Sequence, residues 1–262
     1  MVGEKMNVWP SILGIIGGFV LLLLGGEGLV RAAVSIAARL KVSAIVIGLT
    51  VVAAGTSAPE LLTSFLAAFK GIDDISVGNV IGSNIFNLLV ILGISALVRP
   101  FLIKQQDFKW DVVFLLTSTF FFFVFLFTHR EISRLEGGLF LLALSAYFLV
   151  SVGLAKKGHR SEIAGELQEE IKTLRFVWQD ILFLVGGSLF LIYGAQLVLS
   201  NSLVLGRFFG ISERILGLTV VSVGTGLPEL ATSFVASLRG QSHLAAANVV
   251  GSNIINTLGV IG

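Results

Sequence analysis

Two glutamates hold most of the chemistry this chain can offer. Glu60 follows Pro59 in GTSAPELLTS and Glu229 follows Pro228 in GTGLPELATS, each inside a run of apolar residues. Proline has no N–H and its ring crowds the carbonyl four residues back. Pro59 therefore frees the carbonyl of Gly55 and loosens that of Thr56, and Pro228 does the same for Gly224 and Thr225. Each segment then offers loose carbonyls, a threonine hydroxyl and a carboxylate within one turn. Two such sets face to face make an all-oxygen cage with two negative charges. That suits a hard cation, and Ca2+ in particular takes about 6–8 oxygens in flexible geometry. The plain alternative is a proline kink whose glutamate pairs with a basic residue. It explains one motif better than two, because each charge at a bilayer centre costs about 2.5–3.5 kcal/mol and two without a cation repel.

The setting is a membrane. Hydrophobic residues make up 55% of the chain and charged residues 13%, with a mean hydropathy of +0.95, whereas a soluble domain carries about 25% charge. Apolar stretches predict helices at 11–33, 43–69, 75–98, 110–128, 136–154, 178–205, 212–238 and 244–262, each long enough to span. They are continuous runs rather than the ten-residue alternation of a barrel. Trp9, Trp110 and Trp178 stand where interfacial anchors belong, and Phe120–Phe123 reads as a lipid-facing or packing cluster. A net charge of +2 gives no footing for nucleic acid, and the chain has no cysteine. His129, His159 and His243 are scattered, and no nucleotide loop or hydrolase motif is present. The expectation is therefore no enzyme and no cofactor.

The two motifs belong to a repeat. GLTVVAAGTSAPELLTSF (48–65) and GLTVVSVGTGLPELATSF (217–234) agree at 13 of 18 positions, and GNVIGSNIFN (78–87) matches ANVVGSNIIN (247–256) at the same offset. Gly25 aligns with Gly194, so the first span is the counterpart of the sixth and not a cleaved signal. The Pro-Glu pairs lie in spans two and seven. An odd number of spans separates them, so the halves are inverted, the arrangement in which outward-open and inward-open states mirror each other. The division expected is a first half at 1–154, a linker at 155–177 and a second half at 178–262. Spans four and five lack partners, so about eight of an expected ten helices are present, and the natural product is expected to run on past Gly262. Placing the N-terminus outside puts twelve Lys and Arg on the inner side and six on the outer, with the linker cytoplasmic.

Asn79, Ser83 and Asn87 are spaced by four, as are Asn248, Ser252 and Asn256, which puts each set on one helix face. Interhelical hydrogen bonding is the reading preferred for Asn79, Asn84, Asn248 and Asn253. Ion ligation is preferred for Ser83, Asn87, Ser252 and Asn256. Glu27 and Arg31 read as an i,i+4 pair, and the counterpart of Glu27 is Gln196.

GTSAPELLTS, GNVIGSNIFN, GTGLPELATS and ANVVGSNIIN together resemble the α-repeats of the sodium/calcium exchanger family, within the calcium/cation antiporter superfamily, over essentially the whole chain. The resemblance implies an all-α integral membrane protein of two inverted five-helix repeats. Such a protein would exchange Na+ for Ca2+ by alternating access across the plasma (inner) membrane. Glu60 and Glu229 would then be the central Ca2+ ligands, with carbonyls of Thr56 and Thr225. Sodium sites would draw on Ala53, Thr56, Ser57 and Ser83, and on Ser222, Thr225 and Ser252. Asn87 and Asn256 would flank the middle. The first and sixth helices would form a sliding gate, packed through Gly17, Gly18, Gly25, Gly26, Gly186, Gly187 and Gly194. Two departures stand out. Gly226 replaces a frequent Ser opposite Ser57, and Asn256 stands where potassium-dependent members carry Asp. Neither GNVIGSNIFN nor ANVVGSNIIN holds an acid, which favours sodium over protons. Ca2+/H+ exchange, a cation channel and a non-transporting scaffold are the other readings.

Overall fold

The computed structural model describes residues 8–69, 73–102, 105–129, 132–156, 176–216, 220 and 222–262. Most of them are helical, and no strand occurs among them. Helix α1 (Trp9–Leu40) starts with Pro10 in its first turn and stops at Lys41, whose left-handed backbone closes the end. Helix α2 (Ala44–Thr56) and α3 (Ala58–Phe69) form one span bent by 46°. Helix α4 runs from Asp73 through Phe86, passes a π-helical turn at Asn87–Ile91 and continues as Leu92–Val98. Helices α5 (Gln105–His129) and α6 (Arg134–Lys156) come next. The second half has α7 (Val177–Phe208), short turns α8 (Glu213–Leu216) and α9 (Ser222–Thr225), α10 (Leu227–Leu238) and α11 (Ser242–Ile255). Another π-helical turn, Asn256–Val260, ends it, and one more, Gly48–Val52, lies within α2. Among the described residues, five helices are individually long and apolar enough to cross a membrane, or six with the bent pair as one span, and α10 is a shorter apolar helix. Each of the eight apolar stretches is mostly helical among the described residues. The linker expected at 155–177 falls mainly outside the described residues.

Lipid is the outer solvent. Phe65, Phe69, Phe120, Phe127, Leu135 and Leu142 point outward, and Phe122 alone of the four-Phe run is sealed, at 2% exposure. Inside, α1, α7, α10 and the start of α11 share one core around Leu29, Leu191, Ala236 and Leu244, while α5 and α6 pack through Phe122, Phe140 and Tyr147 onto Ile254 and Leu258 at the end of the chain.

The pseudo-twofold axis is visible in single contacts. A Cβ on Gly18 would sit 2.8 Å from the carbonyl of Gly194, and one on Gly187 would sit 2.9 Å from that of Gly25. These two contacts exchange under the repeat, so α1 and α7 cross backbone to backbone at both points. Gly17 makes a looser approach, to Leu197. Gly26 turns instead to α10, against Ala231, and Gly186 faces open space.

Candidate functional site

The helix break precedes each proline. Ser57 (φ −80°, ψ 5°) and Gly226 (φ −80°, ψ 1°) leave helical geometry, and α3 and α10 restart with the proline in the first turn. A proline there loses no intrahelical bond of its own. Glu60 and Glu229 thus come into the first turn after a break, both in the buried middle of the molecule at 1% and 0% exposure.

The two halves supply each other's partners. Ser57 Oγ donates to Glu229 Oε1 at 3.0 Å. Thr56 Oγ1 donates to Asn248 Oδ1 at 3.2 Å and lies 3.4 Å from Ser252 Oγ. The hydroxyls of Thr56 and Ser252 also face the Glu229 carboxylate, and that of Thr225 faces Glu60. The two carboxylates lie within electrostatic reach of each other. The carbonyl of Ala53 already receives the Ser57 N–H at 2.9 Å, and the Thr56 hydroxyl lies 3.3 Å from it. Ser222 opens α9, and its side chain is outside the described set.

The asparagines divide by role. Asn79 Nδ2 donates to Ser64 Oγ at 2.9 Å and to the carbonyl of Glu60 at 3.3 Å, and Asn248 Nδ2 donates to Ser233 Oγ at 3.1 Å. These bonds brace the Glu-bearing helices from behind. Asn84 and Asn253 cross on the axis, each amide donating to the other's backbone carbonyl, at 3.5 and 3.2 Å. Asn87 and Asn256 are different. Asn87 Nδ2 is tied to Asn253 Oδ1 at 2.9 Å, and Asn256 Nδ2 to Ser83 Oγ at 3.1 Å and Asn84 Oδ1 at 3.3 Å. With the amino groups fixed this way, both Oδ1 atoms are left buried and without a partner, as are Glu60 Oε2 and Glu229 Oε2.

Four orphaned oxygens, two anionic and two neutral, are the feature that matters. A buried acceptor without a donor costs about 1–3 kcal/mol, more when charged, and these four are related in pairs by the repeat, which makes them candidate ligands for a cation. Among the described residues no group of three or more acidic, His or Cys side chains could hold a metal. A cation here would rest on two carboxylates helped by neutral oxygens, which fits hard-ion chemistry.

Sequence reading missed the π-helical turns. Two of them begin at Asn87 and Asn256, matched under the repeat, and another begins at Gly48, and such turns recur at functional sites because they widen the helix and re-aim side chains. No periodicity marks them. It also missed that Arg239 joins Glu27. Arg239 Nε and Nη2 donate to the Glu27 carboxylate at 2.9 and 2.7 Å, beside the Arg31 bond at 2.6 Å. The pair of the buried Asp180 with the exposed Arg39, which ties α7 to α1, went unread as well.

The sodium/calcium exchanger protein model matches residues 10–153 and 180–262. The chain belongs to the sodium/calcium exchanger family. It is 36% identical over 249 residues to the putative antiporter CaxA of Alkalimonas amylolytica, covering 95% of this chain and 78% of that protein. With the sodium/calcium exchanger MaX1 of Methanosarcina acetivorans it shares 34% over 286 residues, 96% of this chain and 81% of the other. The solved sodium/calcium exchanger from Methanococcus jannaschii superposes with a TM-score of 0.81 at 29% identity, over 97% of this chain and 81% of that one. The same exchanger soaked with Na+ and Sr2+ gives 0.83 at 31%. This exchanger-family member is thus an all-α, multi-pass integral membrane transporter, and its family is one of exchangers rather than enzymes.

Proposed function

We propose that this chain is a secondary active antiporter that exchanges Na+ for Ca2+ by alternating access. Glu60 and Glu229 hold the divalent ion, helped by the carbonyls of Thr56 and Thr225. Na+ uses Ala53, Thr56, Ser57 and Ser83 in one half, and Ser222, Thr225 and Ser252 in the other, while Asn87 and Asn256 flank the centre. The observation that carries this reading is the set of four buried, unpartnered oxygens on Glu60, Glu229, Asn87 and Asn256. Relatives support the choice of ions, since MaX1 is named a sodium/calcium exchanger and the Methanococcus exchanger was soaked with Na+, Ca2+ and Sr2+.

The cage is neutralised by one Ca2+ or by Na+ ions in turn, never left as two bare charges. The α1–α7 pair, crossing backbone to backbone, is the element that shifts to expose the cage to one side or the other. The halves meet at the cytoplasmic linker 155–177, with the N-terminus outside, in the inner membrane. In proteoliposomes, Ca2+ uptake is expected to follow an imposed Na+ gradient. Uptake driven by a pH gradient in the absence of Na+ would establish proton exchange instead.

A further inference from the structure

One charged cluster joins the α1–α7 pair to the helix that carries Glu229. Arg239 closes the end of α10. Its guanidinium forks onto Glu27 of α1, Nε donating to Oε2 at 2.9 Å and Nη2 to Oε1 at 2.7 Å. Arg31 donates to the same Oε1 at 2.6 Å, but from the next turn of α1 itself. The Glu27 side chain is only 22% exposed, so solvent does not fully screen the fork.

The other contacts of α1 with α7 bind the two helices to each other. Gly18 and Gly187 let the backbones touch, and Asp180 of α7 pairs with Arg39 of α1. A body made this way can shift as a unit. The Glu27–Arg239 fork instead runs from that body to α10, and hydrogen bonds of 2.7 and 2.9 Å do not survive a slide of about 3 Å. In an inverted repeat the opposite state exchanges the roles of the halves, so α7 would there have to supply the carboxylate. The counterparts of Glu27 and Arg31 at the repeat offset are Gln196 and Ser200. Gln196, exposed on α7, brings no charge. We propose that Glu27 and Arg239 form a one-sided latch on the gate, which holds the exchanger in the state seen here and has no equal in the opposite state. The duplicated halves therefore give two states of unequal free energy. The inference rests on the reading of α1–α7 as the moving element and adds what biases its position.

The chain has no cysteine, so Leu40→Cys and Leu97→Cys can carry the only two spin labels. Leu40 is exposed at the end of α1, and Leu97 is exposed near the end of α4, which packs on α10. Pulsed electron paramagnetic resonance in Na+ gives the distribution of distances between the labels. The wild-type latch is expected to favour one distance. Glu27→Gln and Arg239→Gln are each expected to raise a second distance about fivefold relative to the first, the worth of a forked, partly exposed pair. Either variant suffices if the other does not fold. Both together are expected to do no more than one alone. Arg31→Gln breaks only the bond inside α1 and is expected to stay within about twofold of wild type. An unchanged distribution in folded Glu27→Gln and Arg239→Gln overturns the latch while antiport stands, and so does an equally large shift in Arg31→Gln. A wild type with no Na+-driven Ca2+ flux overturns the antiport reading itself.

Discussion

Glu229→Gln separates a charge kept for an ion from a charge kept for the fold. The side chain is fully buried, accepts the Ser57 hydroxyl at 3.0 Å through Oε1 and leaves Oε2 unpartnered. Glutamine keeps the volume and the Oε1 acceptor, so packing is retained, but one of two anionic charges is gone. Removing one partner of a buried charge pair costs about 3–5 kcal/mol, or roughly two to four orders of magnitude in Ca2+ affinity. At a hundred times its Kd a ligand stabilises its protein by about 2.7 kcal/mol, which for a chain of this size raises the melting point by about 5–10 °C. Thermal melts in detergent with and without Ca2+ read both quantities. Wild type is expected to show the shift, and Glu229→Gln to show none at the same Ca2+. Without Ca2+ the variant is expected to melt no lower than wild type, because one of two like charges in a sealed cage has been removed. A full Ca2+ shift in the variant would refute the ligand role. A Ca2+-free melting point several degrees lower would show that the carboxylate is paired structurally.

The same geometry sets other outcomes. Ca2+ flux is expected to fall on acidification as Glu60 and Glu229 take up protons, since a neutral cage has no charge to offer; flux rising toward low pH in a proteoliposome titration would contradict this. Because Asn87 and Asn256 are both neutral, adding K+ should leave Na+-driven Ca2+ flux unchanged, and an absolute K+ requirement would count against it. Gly25→Val should block transport, since a Cβ there lies 2.7 Å from the Gly187 carbonyl; wild-type flux would show that α1 and α7 need not touch. Asn84→Leu strips the reciprocal amide pair with Asn253 and should cost about 1 kcal/mol of stability, read as a lower melting point.

The inverted architecture was readable because duplication leaves identity at a fixed offset, and the parity of spans between Pro59-Glu60 and Pro228-Glu229 sets their opposite orientation. The carboxylates were readable because a charge inside an apolar run is costly. The pairing of one side chain with another stayed hidden. Spacing of four says that Asn79, Ser83 and Asn87 share a face, but not that Asn79 braces Ser64 while Asn87 keeps a bare oxygen. That depends on where the helix widens, and the turn beginning at Asn87 re-aims the residues beyond it. The link from Glu27 to Arg239 spans the two halves and stayed hidden as well.

The central claim is that a divalent cation sits between Glu60 and Glu229, and anomalous X-ray scattering from Ca2+-soaked crystals tests it most directly. One peak is expected between the two carboxylates, at about 2.3–2.6 Å from an oxygen of each, and it should vanish in Glu60→Gln/Glu229→Gln crystals. A well-occupied Ca2+ peak elsewhere in the membrane core, with none between these residues, would contradict it.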